Sequence, residues 1–168
     1  MPLRELRCQY GPLLDFYCKS GFVSVEQFQD SIKVQDVQIT AISLDQGTQT
    51  SFVYVFERMG RKVVYAPCDI KPFPEHRREV QKPDLLMVQP GIFEDGLKHG
   101  FKYPASHCSR KTLYTFEETL ELARRLRTKK VLFTHLEEYW NRSYDDYLAL
   151  QRTDPTIRFA YDGIRVTV

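Results

Sequence analysis

The sequence predicts an α/β protein, because short apolar strands alternate along it with segments that have the period of an amphipathic helix. The best-defined helix begins at Thr115, since Thr115 and Glu118 have the spacing of a capping box. Apolar residues then recur every three or four positions up to Leu126. A short buried strand over Val131 to Thr134 follows and delivers His135 at its carboxyl end, where α/β sheets carry their chemistry.

The length of 168 residues predicts a single domain, residues 1–168, with enough chain for a sizeable core. Residues 1–31 are expected to be an irregular start, because Gly11-Pro12 and Lys19-Ser-Gly21 are turn signals and no clear period surrounds them.

The composition excludes several classes of protein. Lys and Arg total 24 against 22 acidic residues, and a net charge of +2 is too small for nucleic-acid binding through the overall charge of the protein. The composition does not exclude a local basic patch. No apolar run approaches the roughly 20 residues of a membrane helix, and the polar start is unlike a signal peptide, so a soluble cytoplasmic protein is expected. The four widely spaced cysteines are expected to be free thiols.

The remaining elements are predicted from alternation and turn chemistry. Half-buried strands begin at Ile32 and are interrupted near Asp36, and a hairpin turns at Met59-Gly60. A long connection over about 89–114 is a candidate binding segment. The other predicted elements are strands over 51–58, 63–66 and 84–88, a helix from Ser143 to about Gln151, and a terminal hairpin of 157–161 with 164–168.

Three residues are candidates for a polar site. Asp69 and His135 each follow a short apolar strand and should meet at one edge of the sheet, together with His107 from the long connection. Carboxylate and imidazole suit zinc, manganese or iron, and a metal there can produce hydroxide near neutral pH. On spacing alone, however, ordinary capping and loop roles are favoured over a metal site.

The order of the motifs resembles a known family. The carrying segments are Val63 to Asp69, Asp84 to Leu86, His107 ahead of Phe116 to Ala123, Leu132 to His135, and Ala160 to Gly163. This series resembles the metallo-β-lactamase fold superfamily, particularly its phosphodiesterase branch with ribonuclease Z and the cyclic-phosphate phosphodiesterases. The resemblance runs from about residue 32 to 168, and it implies the later half of an αββα sandwich, a mixed sheet with helices packed on it.

The resemblance also implies roles for the three candidates. Asp69 is similar to the carboxylate that bridges two metals, and His135 to the last histidine ligand of the second metal. His107 is similar to the catalytic histidine that contacts substrate phosphate or assists protonation of the leaving group. If the site is active, the implied cofactor is zinc or manganese and the implied substrate is a phosphodiester.

The sequence also departs from the family. Its main metal motif, His-x-His-x-Asp-His, is absent, and Gln46 stands where the family has a histidine. Glutamine is a poor ligand for zinc or manganese, so the chain is expected to be either the carboxyl-terminal half of a longer protein or a degenerate member, and Gln46 favours degeneracy.

The resulting expectation is a protein related to metal-dependent phosphodiesterases with an incomplete metal site. The alternative is a non-catalytic binding or assembly protein that retains the fold. In either case half a sandwich leaves one sheet face uncovered, so a homodimer or a partner chain is expected.

Overall fold

A computed structural model describes residues 3–25, 28, 30–45 and 50–168. The helices are α1 (Leu3–Lys19), α2 (Phe116–Arg125) and α3 (Tyr144–Thr153). The strands are β1 (Ser31–Val34), β2 (Val37–Asp45), β3 (Thr50–Arg58), β4 (Arg61–Ala66), β5 (Leu85–Val88), β6 (Val131–Phe133) and β7 (Ile157–Phe159). None of the described helices is long and apolar enough to cross a membrane.

The seven strands form one mixed sheet in sequence order, from β1 to β7. The pairs from β1 to β4 are antiparallel, and the pairs from β4 to β7 are parallel. Ala66, Val88, Phe133 and Phe159 lie in register across the parallel strands. The α/β class and the mixed sheet with helices packed on it are thus confirmed.

One face of the sheet carries the core. Along β2, β3 and β4 the buried side chains alternate with more exposed ones, as the two-residue period of a strand requires, whereas all three residues of β6 are buried. Buried residues of α2 and α3 join them in one cluster, so both helices cover this face. The fully or nearly buried members include Val53, Val55, Val64, Leu86, Val88, Phe133 and Phe159 from strands, and Phe116, Leu122 and Tyr147 from the two helices.

Helix α2 forms where its capping box predicts. The Thr115 hydroxyl accepts a hydrogen bond from the Glu118 backbone N–H (3.1 Å), and the Glu118 carboxylate accepts one from the Thr115 N–H (2.8 Å). These contacts satisfy two backbone donors that the first helical turn leaves unpaired. Phe116 and Leu122 then enter the core, and each buried side chain of this kind contributes roughly 1.5–3 kcal/mol.

The opposite face of β2, β3 and β4 is also apolar, but it is only half-buried. Phe56 pairs with Ile39 of β2 and with Val63 of β4, and Tyr54 pairs with Tyr65. All five side chains are of intermediate exposure. We call this surface the open face; its members are Ile39, Ala41, Phe52, Tyr54, Phe56, Val63 and Tyr65.

The expectation of an irregular start is wrong for residues 3–19, which form α1. Gly11-Pro12 is accommodated as a kink, because Tyr10, two residues before the proline, leaves the helical region (φ −129°, ψ 17°). A proline inside a helix removes one backbone donor and clashes with the preceding turn, so a kink there is the usual result. Apolar side chains of α1, including Leu13 and Phe16, are exposed.

The predicted terminal hairpin is also wrong. Strand β7 forms, but residues 164–168 are not a strand. Local acceptors already take two backbone donors of β7: the Phe159 N–H donates to Gln151 Oε1 (2.7 Å) and the Ile157 N–H to the Asp154 carbonyl (3.3 Å). The final segment instead passes Lys130, whose Nζ donates to the Thr167 carbonyl (3.3 Å).

Candidate functional site

Two of the three candidate residues lie at one edge of the sheet. Asp69 follows β4 and His135 follows β6, and β4, β5 and β6 are parallel, so all three strands end at this edge. With strands about 4.8 Å apart, the backbones of β4 and β6 are roughly 10 Å apart. Both residues have positive φ, 49° at Asp69 and 55° at His135. A non-glycine residue adopts this conformation at an energetic cost, and such residues cluster at functional sites.

The carboxylate of Asp69 is oriented from the long connection. The Thr112 hydroxyl donates to Asp69 Oδ1 over 2.8 Å, and the Lys71 N–H donates to the Thr112 carbonyl over 2.9 Å. Beside it, burial raises the pKa of the Cys68 thiol, and the charges of Asp69 and Glu137 raise it further. Cys68 is therefore held as a neutral thiol, unlike an activated nucleophile.

His135 is paired with a carboxylate that the sequence analysis missed. Its Nε2 lies 2.7 Å from Glu137 Oε1, so the protonated Nε2 donates to that oxygen. In the neutral imidazole this leaves Nδ1 as the unprotonated nitrogen. A carboxylate that fixes the tautomer and orientation of an imidazole in this way is a common partner of metal-ligating histidines. The signal for Glu137 in the sequence was its place two residues after His135.

His107 lies at the start of a 3₁₀ turn over Cys108–Lys111. Its Nδ1 accepts the Ser109 backbone N–H over 3.2 Å, so the neutral ring carries its proton on Nε2. The ring lies against Tyr103, with centroids 4.5 Å apart. His107 therefore presents a hydrogen-bond donor at Nε2, the kind of group that contacts a phosphate oxygen.

Tyr139 connects the surroundings of the two histidines. Burial, the charge of Glu137 and interactions with Tyr103 raise the pKa of Tyr139 to about 12. Tyr139 thus lies near both Glu137, which holds His135, and Tyr103, which packs on His107. Glu137 also lies within electrostatic reach of the Cys68 thiol, next to Asp69.

The long connection over 89–114 is held by arginines. Arg110 makes a two-point ion pair with Glu94 (2.6 and 2.9 Å) and also donates to the carbonyls of Tyr103 and Pro104. Arg142 contacts Asp95 through one nitrogen, since its Nη2 donates to both carboxylate oxygens (2.6 and 2.7 Å). The bidentate pair of Arg110 with Glu94 fixes geometry as well as contributing energy. These contacts therefore hold the connection over 89–114 in a defined conformation beside the strand ends.

Two buried polar atoms at this edge have no hydrogen-bond partner among the described residues: Gln89 Oε1 and Thr134 Oγ1. Gln89, 5% exposed, follows β5, and Thr134 follows β6 next to it, with its N–H donating to the Val88 carbonyl (2.9 Å). Buried polar groups normally have partners, so each of these two oxygens can accept a hydrogen bond from a water molecule or another polar group.

The described residues do not by themselves fit a metal ion. Within them, no three His, Cys, Asp or Glu side chains are grouped closely enough to hold one. Asp69 and His135 are two donors, whereas zinc sites in proteins use three or four protein ligands. Gln46, at the position where the resembling family has a histidine, lies outside the described residues.

Comparison with solved structures supports the fold. A diphosphatase of the PhnP family has a TM-score of 0.61 at 15% identity, over 90% of this chain and 52% of that one. The metallo-β-lactamase fold protein YhfI from Bacillus subtilis has 0.60 at 14%, over 89% and 60%. Zinc-bound PqqB from Methylobacterium extorquens has 0.62 at 12%, over 94% and 59%. Among curated proteins, none matches the sequence.

The chain spans only 52–60% of the length of these three structures while they cover about nine-tenths of it. Identities of 12–15% show a shared fold and nothing finer. The sequence itself matches the family model described as a beta-lactamase superfamily domain over residues 9–136. Since this match covers more than half of the chain, the protein belongs to the β-lactamase superfamily, with the metallo-β-lactamase fold of its hydrolase-like members.

Proposed function

We propose that this chain supplies one part of the active site of a phosphodiesterase-type hydrolase. The observation that carries the proposal is the placement of Asp69 and His135, both in left-handed backbone conformation, beyond two parallel strands at one edge. The resemblance of the sequence to the phosphodiesterase branch and the fold shared with a PhnP-family diphosphatase support the substrate class.

Each candidate residue has a definite part in this proposal. Thr112 holds the carboxylate of Asp69, and Glu137 holds the imidazole of His135 with Nδ1 free of a proton, so both are positioned as ligands for zinc or manganese. A metal bound in such a site supplies an activated water and offsets phosphate charge. The described donors are too few to bind it alone, so the remaining ligands must come from other residues or another chain.

His107 acts on the substrate in this proposal. Its Nε2–H is the donor, because the Ser109 N–H occupies Nδ1. A donor aimed at a phosphate oxygen stabilises charge that develops during displacement, and the same proton can pass to the leaving oxygen. Tyr103 and Phe101 pack against the ring and restrict its orientation.

The test measures hydrolysis of bis-nitrophenyl phosphate with manganese or zinc by the protein purified from its natural source. We expect metal-dependent turnover that Asp69→Asn and His135→Asn each reduce by at least about 100-fold, consistent with loss of a metal or electrostatic contact. His99→Asn is the matched control, because His99 is an exposed histidine of the long connection over 89–114 that has no assigned role in the site. The 168-residue chain alone should show no turnover.

Turnover by the source protein that survives both substitutions would overturn the proposal. An equal loss in the His99→Asn control would likewise overturn it, because the effect would then not be specific to the site residues.

A second candidate function is assembly, and the open face favours it. Its apolar side chains, including Tyr54, Phe56 and Tyr65, are half-buried, whereas those on the helix side are fully covered. Because the chain spans about half of the similar structures, the face fits a second sheet. For the chain on its own, we propose that a second copy supplies that sheet.

A further inference from the structure

An open groove lies at the end of the sheet opposite Asp69 and His135. It has a volume of about 1110 Å³ and is bordered by the hairpin turn at Met59-Gly60 and the residues that precede β5 and β6. β4 runs from this groove towards the candidate site over six residues. At about 3.3 Å per residue the two ends of β4 are roughly 17 Å apart, so the groove is a separate surface.

The groove is strongly basic although the protein is not. Among the described residues, seven Lys or Arg side chains and three Asp or Glu side chains line it, which gives a net charge of +4. The whole chain carries only +2, so the rest of the chain is net negative. Concentrating positive charge in one concave surface raises the local potential and attracts anions more strongly than the overall charge indicates.

The three acidic side chains are all used in ion pairs within the groove. The pairs are Arg58 with Asp36 (2.7 Å), Lys62 with Glu57 (3.6 Å), and Lys129 and Arg61 with Asp84 (2.7 and 3.5 Å). Two cations therefore share the carboxylate of Asp84. The positive charge that remains is not cancelled inside the groove.

Three further cations have no ion-pair partner among the described residues: Lys33, Arg78 and Lys82. Each is exposed, and they come from β1, a 3₁₀ turn and the loop before β5. Three different elements thus direct uncompensated positive charge to one groove. Each can reach an anion without breaking an existing pair.

The chemistry of the lining selects among anionic partners. Met59 is the one apolar side chain that lines the groove in the described structure, and no aromatic residue does. Protein interfaces need buried apolar or aromatic anchors, and single-stranded nucleic acids need aromatic platforms for base stacking. A phosphate backbone needs only positive charge. We propose that this groove binds the backbone of double-stranded nucleic acid without reading its sequence.

The test measures binding of the 168-residue chain to fluorescent 20-base-pair DNA and RNA duplexes of mixed sequence. About four uncompensated cations correspond to about a 100-fold loss of affinity between 50 and 200 mM salt, from a slope of about −0.9 per phosphate contact. The variant Lys33→Gln/Arg78→Gln/Lys82→Gln should reduce this loss to about 4-fold and weaken binding at 50 mM salt.

The control variant Lys19→Gln/Arg152→Gln/Arg165→Gln removes the same charge from exposed residues outside the groove and should bind as the unmodified chain does. Circular dichroism and thermal unfolding confirm that both variants are folded. Asp69→Asn should leave binding unchanged, which separates this proposal from the hydrolase site.

Absence of duplex binding at 50 mM salt would overturn the proposal, as would equal losses in the two triple variants. A single-stranded DNA or a polyglutamate of equal charge that binds as tightly as the duplexes would also overturn it.

Discussion

Asp84 is a mostly buried carboxylate whose charge contributes to the stability of the fold. Its side chain is only 10% exposed, and it accepts hydrogen bonds from Lys129 Nζ (2.7 Å) and from the Lys62 backbone N–H (2.8 Å). The hydrogen bond from Lys129, then the one from the Lys62 backbone, holds the pKa of Asp84 at about 2. We expect Asp84→Asn to lower the free energy of unfolding by about 1–3 kcal/mol at pH 7, because a buried N–H and an ammonium lose a charged acceptor.

The pH dependence follows from the same pKa. The pKa of Asp84 is lower in the folded protein than its ordinary value of 3.8, so its contribution is complete above about pH 4 and disappears as the pH falls towards 2. The free energies of unfolding of Asp84→Asn and of the unmodified protein, measured by urea titration from pH 7 to pH 2, should therefore converge at the acidic end. Asp36→Asn is the control, since the Asp36–Arg58 pair is more than half exposed at both side chains and is worth at most about 1 kcal/mol. A constant difference across the whole range would contradict this assignment.

The same residues show how far the sequence predicts a site. Asp69 and His135 could be predicted because each directly follows an apolar strand, and strand ends share an edge. Thr112 could not, because its contact with Asp69 joins positions 43 residues apart and depends on how the long connection folds. The burial of the Gln89 side-chain oxygen could not be predicted either, since it depends on residues packed from other elements.

Among the elements, α2 depends on its amino-terminal cap. Glu118 both closes the capping box and pairs with Lys71 (3.2 Å), which ties the first turn to the loop after β4. We expect Thr115→Ala to reduce the free energy of unfolding by about 1 kcal/mol, because the Glu118 N–H loses its acceptor. The measurement is chemical denaturation, with Glu117→Ala as an exposed control on the same turn that should change stability by less than about 0.5 kcal/mol. Equal effects of the two substitutions would show that helix propensity, and not the cap, is responsible.

Elements that begin with a capping box were predicted correctly, whereas α1 and the final segment were not. The capping boxes at Thr115 and Ser143 mark α2 and α3 because the cap contacts join residues three apart. α1 was missed because Gly11-Pro12 is a turn signal that a helix can absorb as a kink at Tyr10. The final segment, residues 164–168, was predicted as a strand from its alternation. It cannot pair with β7 through the backbone N–H groups of Ile157 and Phe159, because both already donate to other acceptors.

At the scale of the whole molecule, the incomplete donor set predicts weak metal binding. Asp69 and His135 are the two proposed ligands, and the described residues contain no group of three His, Cys, Asp or Glu side chains that could hold a metal ion. We expect the chain purified without chelator to retain much less than one zinc or manganese ion per chain by elemental analysis. One tightly held ion per chain that His135→Ala releases would contradict this and would show that residues outside the described ranges complete the site.

The open face leads to the last prediction, that the chain alone associates with a second copy. Two such faces related by a twofold axis can pack as the two sheets of a sandwich do, about 10 Å apart, and a stable interface of this kind buries about 1,200–2,000 Å². We expect a concentration-dependent dimer in light scattering and sedimentation. Phe56→Glu should shift it to monomer, because the face would then bury an unpaired carboxylate. Tyr144→Glu is the control: Tyr144 is 60% exposed on α3, a helix that packs on the other side of the sheet, and its substitution should leave the dimer intact. Monomer at all concentrations in the unmodified chain, with a folded far-ultraviolet spectrum, would show that no second copy covers the face.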